Sequence, residues 1–198
     1  MTSILKVDNI QKANGSTPTA SDLGINTTGT ILQTVVQQET GITSFTSGTA
    51  GTDLLLIASN AADSTSHLSL TITPKSTSSK ILLTTSVFFE GSTTENYNYL
   101  WSLYRDSIKL GQPNVGSRRG GIMATSIGFY AADAATTPDS VSFSYYDTPS
   151  TTSAITYAVA FNHNSANVLA YLNRTTNDSD SINNERGVSI LIAQEIGG

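Results

Sequence analysis

The alternation of side chains through residues 80–111, KILLTTSVFFEGSTTENYNYLWSLYRDSIKLG, constrains this chain more than any other stretch. Ile81, Leu83, Thr85, Val87 and Phe89 recur at a period of two and so share one face of an extended segment, with Leu82, Thr84, Ser86 and Phe88 on the other. β-Branched and aromatic residues of this kind suit a pleated, half-buried surface. After a polar loop, Tyr97, Tyr99, Trp101 and Leu103 form a second alternating set, and Arg105, Asp106 and Ser107 have the residue types of a turn into Ile108–Leu110. The pattern predicts two strands and a tight turn, with Trp101, the single tryptophan, in or beside the main core.

Composition extends this reading to the whole chain. Serine and threonine supply 56 of the 198 residues and charged residues only 13%. Such residues compete with helical hydrogen bonding and favour short strands and turns. The length suits one sizeable domain, or one domain with an appended arm. With no cysteine, disulfides and thiolate metal sites are excluded. The net charge of −5, with scattered basic residues, offers no footprint for nucleic acid. No run of 18 apolar residues occurs and the N-terminus lacks an apolar signal segment, so no membrane partner and no signal peptide are expected.

Residues 1–29 differ from the rest. Ile4, Leu5, Val7 and Ile10 form a small apolar group, followed by a stretch broken by Gly15, Pro18, Gly24 and Gly29 with too few large apolar side chains for a core. From residue 30 the strand signals recur. Residues 30–38 read as a strand apolar on both faces, with Leu32 and Val36 opposite Ile31 and Val35, a pattern that needs cover on both sides. Residues 54–58 read as a short strand, 67–73 as one with Leu68, Leu70 and Ile72 inward, and 122–130 as another. Val141, Phe143 and Tyr145 share a face, as do Ile155, Tyr157, Val159 and Phe161, and 168–173 and 188–193 close the series. No helix of three turns is indicated. Eight to ten strands with turns between them predict an all-β fold, an antiparallel β-sandwich of jelly-roll type over residues 30–198 with an extended N-terminal arm over 1–29.

Signals for chemistry are sparse. His67 and His163 have no carboxylate at ligand spacing and read as surface or turn residues, so neither a metal nor a cofactor is expected. Asp178-Ser179-Asp180 lacks the glycine and terminal glutamate of a calcium loop. No serine stands in a Gly-X-Ser-X-Gly setting. Glu90 and Glu95 flank one loop and have the residue types of a glycosidase pair, but two acids in a loop are ordinary on an acidic protein, and the chain is read as no enzyme. Among the aromatics, Trp101, Tyr99 and Tyr145 read as core. Tyr97, Tyr104 and Tyr146, near strand ends or on the opposite face, are the candidates for a surface that meets a receptor or a subunit interface.

The segments LTITPKSTSSKILL (70–83), YLWSLYRDSIKLG (99–111) and SFSYYDTPSTTSAITYAV (142–159), followed by Leu172-Asn173-Arg174 and a final apolar strand, resemble a recurrent module of tailed-bacteriophage structural proteins. The opening SILKVDNIQKANG is similar to the start of fibre-like proteins of marine and cyanobacterial phages. The resemblance covers residue 30 to the C-terminus. It implies a β-sandwich head of the fibre or capsid decoration type, a homotrimer exposed at the virion surface, made in the host cytoplasm. It also implies that the arm is ordered against the major capsid protein or another virion protein, with Ile4, Leu5, Val7 and Ile10 as its anchor. Capsid decoration is the leading expectation because the chain has an arm and a head without a repeated shaft. The alternative is a tail fibre or receptor-binding protein that recognises a host cell-surface glycan or protein.

Overall fold

The computed structural model describes residues 9–18, 22, 28–95, 97–111, 116–125 and 135–198. Most of the expected strands form, and the two sheets they make are both antiparallel. The first sheet is built on β5 (Lys80–Gly91), the segment with the strongest alternation. One edge of β5 pairs with β9 (Asp139–Asp147). Its other edge is shared: residues 80–86 pair with β12 (Ser189–Ile196), which carries β1 (Ile31–Glu39), and residues 89–91 pair with β11 (Leu169–Leu172), which carries β2 (Thr43–Thr46). The second sheet centres on β10 (Ile155–Asn162) and β6 (Tyr99–Arg105). β3 (Leu54–Leu55) and β4 (Ser69–Ile72) follow one another along β10, while β7 (Ile108–Lys109) and β8 (Met123–Thr125) do so along β6. The chain changes sheet between β4, β5 and β6, and again between β9, β10 and β11, as in a jelly-roll-like sandwich.

The core lies between the sheets, and the period-two alternation decides who enters it. Ile81, Leu83, Thr85, Val87 and Phe89 are 0–1% exposed, whereas Leu82, Ser86 and Phe88 are half-buried and Thr84 is exposed. Facing them, Tyr99, Trp101, Leu103, Tyr157, Val159 and Phe161 are fully buried. Trp101 sits at the centre, edge-on to Phe89 at 4.7 Å between ring centroids and 5.9 Å from Phe161. Its indole N–H donates to Thr125 Oγ1 at 3.0 Å, so the large apolar ring is buried without an orphaned donor. Tyr145 is half-buried against the same core.

The place where β12 and β11 both lean on one edge of β5 breaks the ladder, and Asn173 closes the gap. Held at φ +59, a region asparagine tolerates, it gives its backbone N–H to Phe88 O. Its Nδ2 donates to Glu39 O and Gly41 O, and its Oδ1 accepts from Ser189 Oγ at 2.6 Å. A single fully buried side chain thus joins the ends of β1, β11 and β12.

Some expectations are corrected. Only Leu54–Leu55 of the 54–58 run is strand; Ala58–Asn60 is a 3-10 turn, which a short apolar run does not distinguish from a strand. The strand expected at 122–130 is Met123–Thr125 among described residues, and 126–130 lie outside them. His163, read as a surface or turn residue, is fully buried. Of the arm group, Ile4, Leu5 and Val7 lie outside the described residues, and Ile10 is 50% exposed.

Two carboxylates make stability depend on pH. Burial alone would raise Asp63, but hydrogen bonds from Ser66 and Thr65 outweigh it and bring the group down to about 2. Glu195, fully buried, is likewise held below its ordinary range because the bonds from Gln33 Nε2 (2.6 Å) and Lys75 N–H (2.7 Å) outweigh desolvation. A lowered folded-state value means the unfolded chain binds more protons, so this stability is complete above the unfolded values of about 4 and is lost as the pH falls through the folded values. Urea midpoints should agree at about pH 7 and pH 5 and drop near pH 3. An unchanged midpoint at the lowest of the three would show that neither carboxylate stabilises the fold.

Candidate functional site

The outer face of the first sheet can be read off its register, because residues paired across antiparallel strands share a face. Three successive rows cross β1, β12, β5 and β9: Gln38, Ile190, Ser86 and Ser142; Val36, Ile192, Thr84 and Ser144; Thr34, Gln194, Leu82 and Tyr146. None of these residues is charged. Phe88 and Ser140 flank one end, with Glu90 as the next outward residue of β5; Ile31, Ile196 and Lys80 flank the other. Val36 is 50% exposed, Tyr146 51% and Ile31 56%. The chain has 15 acidic and 10 basic residues, yet this four-strand patch holds only Ser, Thr, Gln, Tyr and aliphatic side chains; charge returns on the β11 side of the same face, where Glu90 pairs with Tyr171 and Arg174 lies over the Tyr171 ring. Depletion of charge with retained aromatic and aliphatic contacts is the composition of an interface centre.

The three candidate tyrosines separate. Tyr146 lies on this uncharged patch. Tyr97 is exposed beyond the start of β6, its ring 6.3 Å from that of His163. Tyr104 belongs to the outer face of the second sheet and is half-buried, with its hydroxyl donating to Asp53 Oδ2 at 2.7 Å. Burial, then the bond to that carboxylate, pushes the Tyr104 phenol well above its ordinary value, so it stays a donor.

The second sheet's outer face is built differently. On β10 and β6, Ala158, Ala160 and Ser102 are buried although they point away from the core. Their small size lets long polar side chains lie across them. Asp53 Oδ2 takes Tyr104 and Lys109 Nζ (2.6 Å), while Oδ1 accepts from Asn162 Nδ2. Asn162 Oδ1 in turn accepts from Arg119 Nη1 at 2.8 Å, and the same nitrogen donates to Asn98 O at 3.0 Å. Gly121 lets this segment reach the strand: a Cβ there would lie 2.6 Å from Leu100 Cγ and 2.8 Å from Trp101 O. Beside the cluster is a cavity of about 420 Å³ lined by Asn98, Tyr99, Leu100, Arg119, Ala124 and Thr125.

The other candidates for chemistry are engaged in structure. His163 Nδ1 accepts the Ser165 N–H (2.9 Å) and Nε2 lies 2.6 Å from Tyr97 O, so both ring nitrogens are engaged. Glu90 is buried and accepts from Thr137 N–H and Thr176 N–H, tying two loops to the end of β5. Glu95 Oε2 lies 3.9 Å from His163 Nε2. Asp178 is paired with Arg186 at 2.8 Å. Among the described residues no group of three or more His, Asp or Glu side chains is placed to hold a metal ion, and no helix is long and apolar enough to cross a membrane.

Sequence reasoning found Tyr146 but missed Ile190, Ile192 and Leu82 beside it, and missed the Asp53–Asn162–Arg119 chain altogether. Alternation marks which residues of one strand share a face; it does not say which strands adjoin.

No protein-family model matches the chain, and no curated protein matches it significantly. Among solved structures it is similar to the VP2 subviral particle of infectious bursal disease virus, at 13% identity and a TM-score of 0.39, over 85% of this chain and 34% of that one. The chain thus spans about a third of that protein's length.

Proposed function

We propose that the chain is a self-associating structural subunit of a tailed-phage virion, a homotrimer of β-sandwich heads that decorates the capsid and is fastened to it by residues 1–29. The observation that carries the reading is the uncharged patch that β1, β12, β5 and β9 form on the outer face of the first sheet. Copies of an acidic protein repel one another wherever acids meet, so a patch without acids is where they can pack. The mixture of Ser, Thr and aliphatic side chains there can bury apolar area without leaving charges unpaired. The phage assignment, the trimer and the arm rest on the sequence resemblance. A mechanical role agrees with the engagement of His163, Glu90 and Asp178 in structural contacts.

Quantitative mass spectrometry of purified particles tests the assignment. The expected result is a copy number comparable to that of the major capsid protein. A much smaller number would move the subunit to a vertex or tail fibre, and absence from purified particles would end the virion reading.

A further inference from the structure

The charges on the outer face of the second sheet do not balance. Asp53 is matched by Lys109. Arg119, the other cation of the cluster, has no carboxylate at ion-pair distance among the described residues. Its Nη1 donates only to neutral oxygens, those of Asn98 and Asn162, and its Nε and Nη2 have no partner among the described residues. Its stem lies against Gly51, whose added Cβ would meet Arg119 Cδ at 3.7 Å. The guanidinium is therefore held in place by one nitrogen while its remaining edge, two parallel N–H donors, has the geometry that a carboxylate accepts.

We propose that the cavity beside Arg119 binds an acidic sugar, with the guanidinium gripping the sugar's carboxylate. The volume of about 420 Å³ lies within the range of small-molecule sites. The walls select the rest of the ligand. Leu100 and Ala124 offer an apolar patch for the C–H face of a pyranose ring. Thr125 Oγ1 already accepts the Trp101 N–H, which leaves its own hydroxyl hydrogen to donate. Asn98, exposed and held at φ +65, offers an amide with both a donor and an acceptor for sugar hydroxyls. One arginine matches a monoanion, whereas phosphate groups are taken by clusters of cations. Partial burial of Arg119, which pulls its guanidinium below the usual value, adds a reason for an anion to enter: the charge is partly desolvated without an opposite charge beside it. This site is separate from the self-association face and stands without it.

The probe is D-glucuronate, observed by saturation-transfer NMR on the intact chain, with D-glucose and acetate as comparison ligands and acetate and inorganic phosphate also titrated as competitors of the glucuronate signal. Glucuronate should bind, and glucose and acetate should bind at least tenfold more weakly, because each lacks one half of the recognised chemistry. Arg119→Gln should abolish the signal. Asn98→Asp should do the same while keeping the arginine, because it sets a carboxylate of the chain's own beside the guanidinium; asparagine and aspartate both tolerate positive φ. Unchanged thermal unfolding of either variant shows that the loss is local. Absent glucuronate binding, equal binding to Arg119→Gln, or acetate or phosphate binding as tightly as glucuronate would each overturn the assignment.

Discussion

Asp147→Ala should destabilise the fold by about 3–5 kcal/mol, the cost of breaking a buried ion pair by removing one partner. Asp147 ends β9 and points inward, where both its oxygens lie within 3.1 Å of Arg105 Nη1 and Oδ2 accepts the Tyr157 hydroxyl at 2.6 Å. Arg105 belongs to β6 and Tyr157 to β10, so one carboxylate fastens the edge of the first sheet to two strands of the second. The side chains are 7% and 19% exposed for Asp147 and Arg105, which leaves water little access to replace the lost partner. Burial, then the same carboxylate, pushes the Tyr157 phenol well above its ordinary value, so the hydroxyl remains a donor across the working pH range. Tyr157→Phe removes one bond to a charged acceptor and leaves the ion pair, so its cost should be smaller, about 1–3 kcal/mol. The double variant should lose less than the sum, because both changes act on one network. Urea unfolding measures all three. In a chain of this size the alanine variant should melt on the order of 10 °C lower; a loss under ~1 kcal/mol would mean that the cluster is geometrically present but energetically idle.

Val36→Asp combined with Ile192→Asp should convert the proposed assembly to monomers of 20.9 kDa. The two residues are directly paired in the middle row of the uncharged patch. In an interface each copy would have to bury two unpaired carboxylates, a cost of several kcal/mol per ion that aliphatic contacts do not offset. In a single subunit Val36 is 50% exposed and Ile192 half-buried, so the sandwich itself should keep its β circular dichroism. Ile182→Asp is the control: Ile182 is fully exposed on the loop before β12, and its replacement should leave the mass unchanged. Light scattering after size exclusion decides. A wild-type chain already monomeric at tens of micromolar, or a double-aspartate variant with unaltered mass, would remove the basis for self-association through this face.

Much of the sandwich was legible because its central strands obey one period. The faces of β5, β6, β9 and β10 follow from alternation alone, and Trp101 falls at the centre as its position in the run required. Legibility failed where the local pattern was too short or the environment came from elsewhere in the chain. Leu54–Leu55 is strand only because β10 pairs with it. His163 looked like a turn residue among asparagines, yet Tyr97, Ser165 and Glu95 enclose it. Glu90 and Glu95 looked like equals on one loop, but Glu90 is buried by two loops that arrive about 47 and 86 residues later.

By itself the sequence determined the architecture: all-β, two-faced strands, no disulfide and an apolar interior gathered around residues 80–111. Those are consequences of side-chain period and burial, which each strand carries locally. Only the tertiary structure decided which strands meet. Pairing β1, β12, β5 and β9 turned four separate alternations into one uncharged patch, and the crossing of β10 by Asp53, Tyr104, Lys109 and Arg119 assembled a polar cluster from residues spread over more than 100 positions. Both are properties of register between distant segments, which no periodicity within one segment encodes.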